Sequence, residues 1–283
     1  MIVVEHELAA PWEAVLMEPS TGGGTGVVVL AGSSGRVDRQ RARLLAEQGF
    51  LALALRWFGG PGQPAGICEI PLETFVAAVD LLRSHGAERV GLFGYSKGAE
   101  AALLTAVHDP RVDAVVAISP SSLVWCNVGP GFDGLLRPCR SSWTWRGEPL
   151  PFVPMDDSWE PEQVDGPVAV RGSYELSERT FARQLEAAAI PVERAAADVL
   201  LVAGGDDAMW PSLRYAEQLA ARRRAAGLPV HLVARADAGH RPRFPGEGPA
   251  EPSPTFLYGG TARADAQLGK EAWAPLLGLL GPG

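Results

Sequence analysis

The sequence predicts a single α/β domain, residues 1–283, in which helices cover both faces of a mostly parallel central sheet. Three observations lead to this prediction. Short apolar runs rich in β-branched residues alternate with segments of helical periodicity along most of the chain. Most of these runs are apolar throughout, as expected of strands that are buried on both faces. The chain has 283 residues, of which 47% are hydrophobic, and is therefore large enough to enclose one substantial core.

The amino-terminal third alternates extended and helical segments. Residues 2–7 and 13–17 predict an opening hairpin, and three glycines at 22–24 break the chain before an apolar strand. The segments that follow predict, in order, a strand at 27–30, a helix at 38–48 that ends at Gly49, a strand at 50–55, a glycine- and proline-rich loop at 59–66, a helix at 72–85 that ends at Gly86, and a strand at 90–93. This order is typical of a parallel sheet with helical crossovers.

The remainder of the chain continues the alternation but contains one long interruption. An alanine-rich helix follows Ser96 and ends near Val107, and residues 112–118 predict the next strand. Residues 121–190 then contain many prolines and several tryptophans, and a connection of this length is uncommon inside a compact domain. We therefore predict that this segment is an inserted lid or cap. The predicted elements after it are a strand at 199–203, a helix at 212–226, a strand at 230–234 and a final amphipathic helix at 262–280.

Composition excludes several classes of function. The formal net charge of −8 gives no electrostatic footprint for nucleic acid or an anionic membrane. No apolar stretch reaches the roughly 18 residues needed to span a bilayer. The amino terminus lacks the features of a signal peptide, so we expect a cytoplasmic location. The three cysteines, Cys68, Cys126 and Cys139, form no metal-binding or disulfide pattern, so we predict no metal site and no cofactor.

One motif points to nucleophilic catalysis. Gly94-Tyr95-Ser96-Lys97-Gly98 fits the pattern G-x-S-x-G, and it lies directly between a buried strand and an alanine-rich helix. This context is that of the nucleophile elbow of the α/β-hydrolase fold, in which a tight turn lifts a serine above the sheet edge. Glycine at positions 94 and 98 suits the crowding expected in such a turn. We therefore predict an α/β-hydrolase fold with Ser96 as the nucleophile.

Only one of the five histidines is placed to serve as the general base. The other four lie in the opening hairpin, at helix ends or at the beginning of the last strand: His6, His85, His108 and His231. His240 follows the strand at 230–234, at its carboxyl end, where catalytic groups gather in open parallel sheets. A base is needed because a serine hydroxyl is a weak nucleophile until its proton is removed. We predict His240 as that base, with a surface loop histidine as the alternative.

An acidic residue is expected after the preceding strand. Residues 199–203 lead into Gly204-Gly205-Asp206-Asp207, and either aspartate could orient the imidazole and stabilise its protonated form. We expect Asp207 to take this role, and Asp206 to lie in a loop turn as a helix cap. The chain order serine, aspartate, histidine is that of α/β-hydrolases.

Acyl transfer also requires hydrogen-bond donors for the tetrahedral oxygen. We predict the backbone N–H of Lys97, the residue after the nucleophile, as one donor. The second is expected from the loop after strand 27–30, with Ser33 as the first candidate and Ser34 behind it. For the side chain of Lys97 we expect only a surface ion pair.

Several side chains near the predicted triad are candidates for substrate contacts. They are Ser34, Tyr95, Trp143 and Trp210. For the tryptophans of the predicted lid, plain packing onto the domain is an equal alternative. Arg241 and Arg243 flank the base and could meet phosphate or carboxylate groups, although a solvated loop is the simpler interpretation.

These motifs together resemble the catalytic domain of acyl-CoA thioesterases and bile acid-CoA:amino acid N-acyltransferases. The matching segments are 96–100 (SKGAE), 205–207 (GDD), 210–212 (WPS), 238–240 (AGH), 142–144 (SWT), 146–147 (RG) and 259–261 (GGT). The resemblance spans roughly residues 25–280 and the motif set is fairly specific. It implies an acyl thioester substrate, an acyl-enzyme on Ser96 and Asp207 as the acid of the triad.

Two features differ from the family that the chain resembles. Too few residues precede the first core strand to form the family's amino-terminal β-sandwich domain, so we expect that domain to be absent. The glycine-rich oxyanion loop of the family is replaced by Ala31-Gly32-Ser33-Ser34. Family members that acylate amino acids often carry a cysteine nucleophile, so Ser96 favours hydrolysis.

Four functional hypotheses follow, and we favour the first. A thioesterase would release the acid with water from a coenzyme A or acyl carrier protein thioester. An acyltransferase would pass the acyl group to an amine or alcohol. A carboxylesterase or dienelactone-type hydrolase would prefer oxygen esters. A binding module on this fold would be expected to have lost part of the triad, yet all three members are present. The sequence leaves the acyl chain, the carrier and the oligomeric state open.

Overall fold

The computed structural model describes residues 1–136, 138–162 and 165–281. Its strands are β1 (Val3–Leu8), β2 (Ala14–Pro19), β3 (Thr25–Leu30), β4 (Leu51–Leu55), β5 (Ile70–Pro71), β6 (Arg89–Tyr95), β7 (Ala114–Ile118), β8 (Trp143–Trp145), β9 (Glu148–Pro149), β10 (Asp198–Gly204) and β11 (His231–Arg235). Its α-helices are α1 (Arg39–Ala46), α2 (Glu73–Ser84), α3 (Lys97–His108), α4 (Arg171–Thr180), α5 (Leu185–Ala188), α6 (Ser212–Ala225) and α7 (Ala262–Leu280). The predicted alternation of strands and helices is confirmed.

An eight-stranded sheet forms the centre of the molecule, with the strand order β1-β2-β4-β3-β6-β7-β10-β11. The predicted opening hairpin is confirmed, because β1 pairs with β2 in antiparallel register and β2 pairs with β4 in the same sense. The six strands from β4 to β11 in this order are all parallel. Their carboxyl ends therefore meet at one edge of the sheet, and this edge carries the loops in which the sequence places its catalytic residues.

Helices cover both faces of this sheet, as predicted. One core cluster lies on the face that packs against α2, α3 and α6, and a second lies on the opposite face, against α1 and α7. The central strands β3, β4 and β7 are buried along their whole length. Burial on both faces explains why these strands read as continuous apolar runs rather than as alternating ones.

Local signals explain where some of the helices begin and end. The side chain of Asp38 accepts a hydrogen bond from the backbone N–H of Arg41 at the start of α1, and Thr261 does the same for Ala264 at the start of α7. Gly49 follows α1 with a φ of 95°, a conformation that side chains with a Cβ disfavour. The chain can therefore turn directly from α1 into β4.

The described residues between 121 and 190 include α4, α5, β8 and β9, and several of them pack directly against the main sheet. Strand β8 joins β5 and β9 in a small second sheet. Trp143 lies in the main core, where its ring centroid is 5.4 Å from that of Trp57, and Trp125 belongs to a third core cluster that also contains Trp210. Trp125 and Trp143 therefore pack onto the domain, which is the alternative that the sequence left open for the tryptophans of this segment. The role of the segment as a lid stays a prediction.

None of the helices in the described part of the chain combines the length and the apolar character that a membrane-spanning helix requires.

Candidate active site

Ser96 lies at the sharp turn between β6 and α3. Its φ of 55° and ψ of −120° are unusual for a residue with a side chain, and such strain is concentrated at functional sites. The flanking glycines make the turn possible. A Cβ on Gly94 would lie 2.2 Å from the carbonyl oxygen of Gly98, and a Cβ on Gly98 would lie 2.5 Å from the carbonyl oxygens of Leu30 and Ala31. Glycine at both ends of the G-x-S-x-G pattern is thus a steric requirement of this turn.

The three residues predicted as a triad come together at the carboxyl edge of the sheet. Ser96 follows β6, Asp207 follows β10, and His240 follows β11. The Oγ of Ser96 is 2.9 Å from Nε2 of His240, and Nδ1 of His240 is 2.7 Å from Oδ2 of Asp207. All three residues are buried: Ser96 is 8% exposed, Asp207 1% and His240 2%. This geometry is a continuous hydrogen-bonded chain from a hydroxyl to a carboxylate, shielded from bulk water.

The second oxygen of Asp207 is also occupied. Its Oδ1 accepts hydrogen bonds from the backbone N–H groups of Met209 at 2.8 Å and Trp210 at 3.3 Å. These bonds fix the plane of the carboxylate so that Oδ2 faces the imidazole. The neighbouring Asp206 accepts a hydrogen bond from the backbone N–H of Gly260 at 2.9 Å. Asp206 lies in a loop turn, as expected. The expectation that it caps a helix is wrong, because its carboxylate joins two loops and α6 begins only after Pro211.

The main chain of His240 is held by residues that sequence reasoning missed. Its N–H donates to the carbonyl of Tyr258 at 2.8 Å, and its carbonyl accepts from the hydroxyl of Ser119 at 2.8 Å. Ser119 follows β7 with a φ of 47°, and its carbonyl in turn accepts from Nε1 of Trp210 at 3.1 Å. Ser119 lies at the carboxyl end of a strand, which is a position that could have marked it as a candidate.

Asp265 of α7 supports the same loop from the other side. Its Oδ1 accepts a hydrogen bond from the backbone N–H of Gly239 at 2.7 Å. The residue is buried, and burial raises the pKa of its carboxyl group above the ordinary value. The start of α7 therefore positions the residue that precedes the candidate base.

The backbone N–H of Lys97 is the first of α3, and the first N–H groups of a helix have no acceptor within it. Within residues 1–136, 138–162 and 165–281, no backbone or side-chain acceptor bonds to this group. It lies next to Ser96 at the positive end of the helix dipole, which favours negative charge. This is the environment that a hydrogen-bond donor to an oxyanion requires.

The side chain of Lys97 does not lie at the surface, so the expected surface ion pair is wrong. Its Nζ is 2.8 Å from Oε2 of Glu100, and the two side chains are 1% and 0% exposed. The other oxygen of Glu100 accepts hydrogen bonds from Nε1 of Trp143 at 2.7 Å and from the backbone N–H of Trp125 at 3.1 Å. Helical periodicity did not predict this burial, because the two tryptophans that bond to Glu100 come from a segment that is distant in sequence.

The structure places the candidate residues for substrate and oxyanion contacts in three different environments. The rings of Tyr95 and Trp210 have their centroids 5.3 Å and 5.8 Å from that of His240. Ser33 and Ser34 are exposed in the turn after β3. Trp143 is fully buried and donates to Glu100, so it is placed to support α3 and has no free face for a substrate.

Comparison with known proteins adds to this geometry. The family model described as BAAT / acyl-CoA thioester hydrolase C terminal matches residues 70–280. The chain belongs to this family. The resemblance inferred from the motifs is therefore confirmed.

Relatives with curated names agree with this membership. Acyl-coenzyme A thioesterase 1 of Homo sapiens is 30% identical over 272 residues, which are 93% of this chain and 61% of the relative. The mitochondrial acyl-coenzyme A thioesterase 2 of Homo sapiens is 29% identical, covering 93% of this chain and 53% of the relative. This member of the family thus spans between half and two thirds of the length of these relatives.

Solved structures confirm the α/β-hydrolase fold of this family member. A puromycin-hydrolysing peptidase of Mycobacterium tuberculosis matches with a TM-score of 0.60 and 14% identity, covering 99% of this chain and 40% of the peptidase. The esterase Pf2001 of Pyrococcus furiosus matches with a TM-score of 0.53 and 13% identity, covering 82% of each chain. At such identities the likeness shows the fold alone.

The buried pair of Lys97 and Glu100 leads to a prediction on stability. Lys97→Met and Glu100→Leu each leave one buried charge without its partner, so we expect each to lower the free energy of unfolding by about 3–5 kcal/mol. The double variant should lose less than the sum of the two, because it buries no unpaired charge. Urea denaturation measures these values. As a control, Arg222→Met breaks the exposed pair with Glu193 and should cost at most about 1 kcal/mol. Losses below about 1 kcal/mol in both single variants would contradict the assignment.

Proposed function

We propose that this chain is a serine hydrolase that cleaves acyl thioesters through an acyl-enzyme on Ser96. The observation that carries the proposal is the hydrogen-bonded chain from Ser96 through His240 to Asp207, at 2.9 Å and 2.7 Å. The names of the curated relatives, which are acyl-coenzyme A thioesterases, support a thioester as the substrate. We propose coenzyme A as the carrier, with an acyl carrier protein as the alternative.

In the first half of the reaction, Nε2 of His240 takes the proton of the Ser96 hydroxyl while Oγ forms a bond to the thioester carbonyl carbon. The carbonyl oxygen becomes an oxyanion, which accepts a hydrogen bond from the backbone N–H of Lys97. The backbone N–H of Ser33 is the proposed second donor. When the intermediate collapses, the carbon–sulfur bond breaks, and the thiol leaves with the proton held by His240.

In the second half, His240 removes a proton from water, and the resulting hydroxide attacks the acyl-enzyme. The bond to Oγ breaks, Ser96 regains its proton from His240, and the carboxylic acid leaves. Asp207 stabilises the protonated imidazole in both halves and holds the tautomer in which Nε2 is free to accept a proton. The two backbone N–H bonds to Oδ1 of Asp207 keep the carboxylate in place during this cycle.

Residues around the triad would contact the substrate in this scheme. Tyr95 lies beside the imidazole, and Ser34 lies behind the proposed oxyanion donor. Trp210 is 2% exposed and its Nε1 donates to the carbonyl of Ser119, so its indole supports the site from within the core. The sequence-based proposal for Trp143 is replaced by a supporting role, since its buried indole is bonded to Glu100.

The proposal is tested by comparing a coenzyme A thioester with the oxygen ester of the same acyl group, measuring thiol release and acid formation. We expect one acid for each thiol, with a kcat/KM on the thioester well above that on the oxygen ester, and no thiol release by Ser96→Ala. Adding an amine or alcohol acceptor should leave the ratio of acid formed to thiol released unchanged. Preference for the oxygen ester would favour a carboxylesterase, and acylated acceptor in place of acid would favour an acyltransferase.

A further inference from the structure

A cavity of about 480 Å³ lies beside the candidate triad and is rich in arginine. Its charged and polar lining includes Arg36, Arg39, Arg41, Arg241, Arg243 and Tyr95. We call it the arginine cavity. Tyr95 directly precedes the proposed nucleophile, and Arg241 directly follows the proposed base, so two residues next to the triad line the cavity. Nothing in the proposed chemistry at Ser96 uses these arginines.

The charges of the arginine cavity are only partly matched by carboxylates. Arg39 pairs with Glu7 on the surface, and Arg41 is buried against Glu247, with Nε 3.0 Å from Oε1. Arg243 shares that carboxylate at a longer distance of 3.6 Å.

The other two arginines have no such match. Within the described residues, no carboxylate oxygen lies within 4.0 Å of Arg36 or Arg241. The carboxylates of Asp38 and Glu251 also line the cavity, which leaves an excess of positive charge.

The guanidinium groups of Arg241 and Arg243 are held in position before any ligand arrives. The guanidinium carbon of Arg241 lies 3.8 Å from the ring centroid of Tyr258, and Nη2 of Arg241 donates to the backbone carbonyl of Glu251 at 2.8 Å. Nε of Arg243 donates to the carbonyl of Gly248 at 2.7 Å. A fixed planar guanidinium matches the paired oxygens of a carboxylate or phosphate. Burial lowers the pKa of Arg243, and the neighbouring Arg41 and Arg241 act in the same direction.

Tyr95 supplies an independent observation. Its hydroxyl is shielded from solvent and has no hydrogen-bond partner among the described residues. Buried polar groups without a partner are rare in folded proteins. Burial raises the pKa of this phenol above its ordinary value, so the group stays an O–H donor at neutral pH. An anionic oxygen in the cavity would supply the acceptor that this hydroxyl lacks.

We propose that the arginine cavity binds an anionic oxygen group of the substrate, a phosphate or a carboxylate. The proposal rests on the proposed function and specifies its substrate. A second cavity of about 780 Å³ shares Arg241 and Arg243 with the first, and Phe256, Leu257 and Tyr258 also line it. The pair of cavities fits a ligand with an apolar part and a charged group. The anion is either a phosphate on the thiol carrier or a carboxylate at the far end of the acyl chain.

Direct binding to Ser96→Ala protein, which cannot turn over a thioester in this scheme, separates the two sources. Calorimetry compares 4′-phosphopantetheine with uncharged pantetheine, and the N-acetylcysteamine thioester of adipate with that of hexanoate. We expect the charged member of one pair to bind at least about tenfold more tightly, as for one charge-assisted hydrogen bond. A preference within the first pair identifies a carrier phosphate, and a preference within the second identifies an acyl carboxylate.

Variants show whether the preference comes from this cavity. Added to the Ser96→Ala background, Arg36→Gln with Arg241→Gln should reduce the preference to about twofold or less, and Tyr95→Phe, which removes only the hydroxyl, should reduce it several-fold. Arg222→Gln with Arg224→Gln removes an equal charge from the exposed face of α6 and should keep the full preference. The proposal is overturned if neither charged ligand is preferred, or if the preference persists in the variant that lacks Arg36 and Arg241. Thiol release by the wild-type protein tests the proposed thioesterase activity separately, so the anion site and the activity can be disproved independently of each other.

Discussion

Replacement of His240 by alanine is expected to lower kcat for thioester hydrolysis by about a millionfold, the loss seen when the general base of a serine triad is removed. The reason lies in the 2.9 Å contact between Nε2 and Oγ of Ser96. Without the imidazole the hydroxyl of Ser96 keeps its proton, so its attack on the thioester carbonyl becomes very slow. KM should change little, because the imidazole contributes mainly in the transition state. Steady-state thiol release measures both constants.

His231→Ala is the matched control for this experiment. His231 is exposed at the start of β11, the strand that also leads to His240. Its replacement should leave kcat within about twofold of the wild-type value, since surface changes far from the site have small effects. A His240→Ala variant that stays folded and keeps more than about a tenth of wild-type kcat would rule out His240 as the base.

Replacement of Asp207 by asparagine is expected to lower kcat by about ten thousandfold at neutral pH, while the fold is retained. An amide can still accept from the backbone N–H groups of Met209 and Trp210. It no longer carries the charge that stabilises the imidazolium, and its NH₂ group can donate to Nδ1 and so select the wrong tautomer. The expected loss is therefore in kcat, measured with saturating substrate.

The adjacent Asp206 makes a sharp control, because Asp206→Asn alters the neighbouring carboxylate in the same way. Asp206 bonds to Gly260 and lies outside the hydrogen-bonded chain to Ser96. Its replacement should cost less than about tenfold in kcat, the range of a lost structural hydrogen bond. If Asp206→Asn caused the larger loss, the assignment of the acid would have to be reversed.

Much of the fold could be predicted from the sequence because its strands carry a strong local signal. Residues 27–30 and 50–55 are apolar throughout, and both became central parallel strands. Glycine after a helix, as at Gly49, marked the turn into the next strand. The short strands β8 and β9 in residues 121–190 had no comparable signal, because they contain only three and two residues. The pairing of β8 with β5 depends on contacts between segments that are distant in sequence.

The candidate triad could be located because it depends on position relative to strands. Ser96 and His240 each follow the carboxyl end of a predicted strand, and the parallel order of the sheet brings these ends together. The choice between Asp206 and Asp207 depends on the orientation of two adjacent side chains, which a pattern does not define.

Tertiary contacts explain what the sequence did not show. The charge of Lys97 suggested a surface side chain, yet Glu100 and the indole of Trp143 enclose it in the core. Ser119 and Asp265 hold the main chain around His240 from strands and helices distant in sequence. No local periodicity distinguishes such residues from ordinary loop or helix positions.

The central claim is that Ser96 accepts the acyl group, and intact-protein mass spectrometry tests it most directly. Wild-type protein is mixed with a short acyl-coenzyme A and quenched with acid during turnover, beside Ser96→Ala treated in the same way. The account predicts a mass increase equal to the acyl group in the wild-type protein, located on the peptide that contains Ser96, with neither adduct nor thiol release in the variant. An adduct on Ser96→Ala, or thiol release by that variant at the wild-type rate, would contradict it.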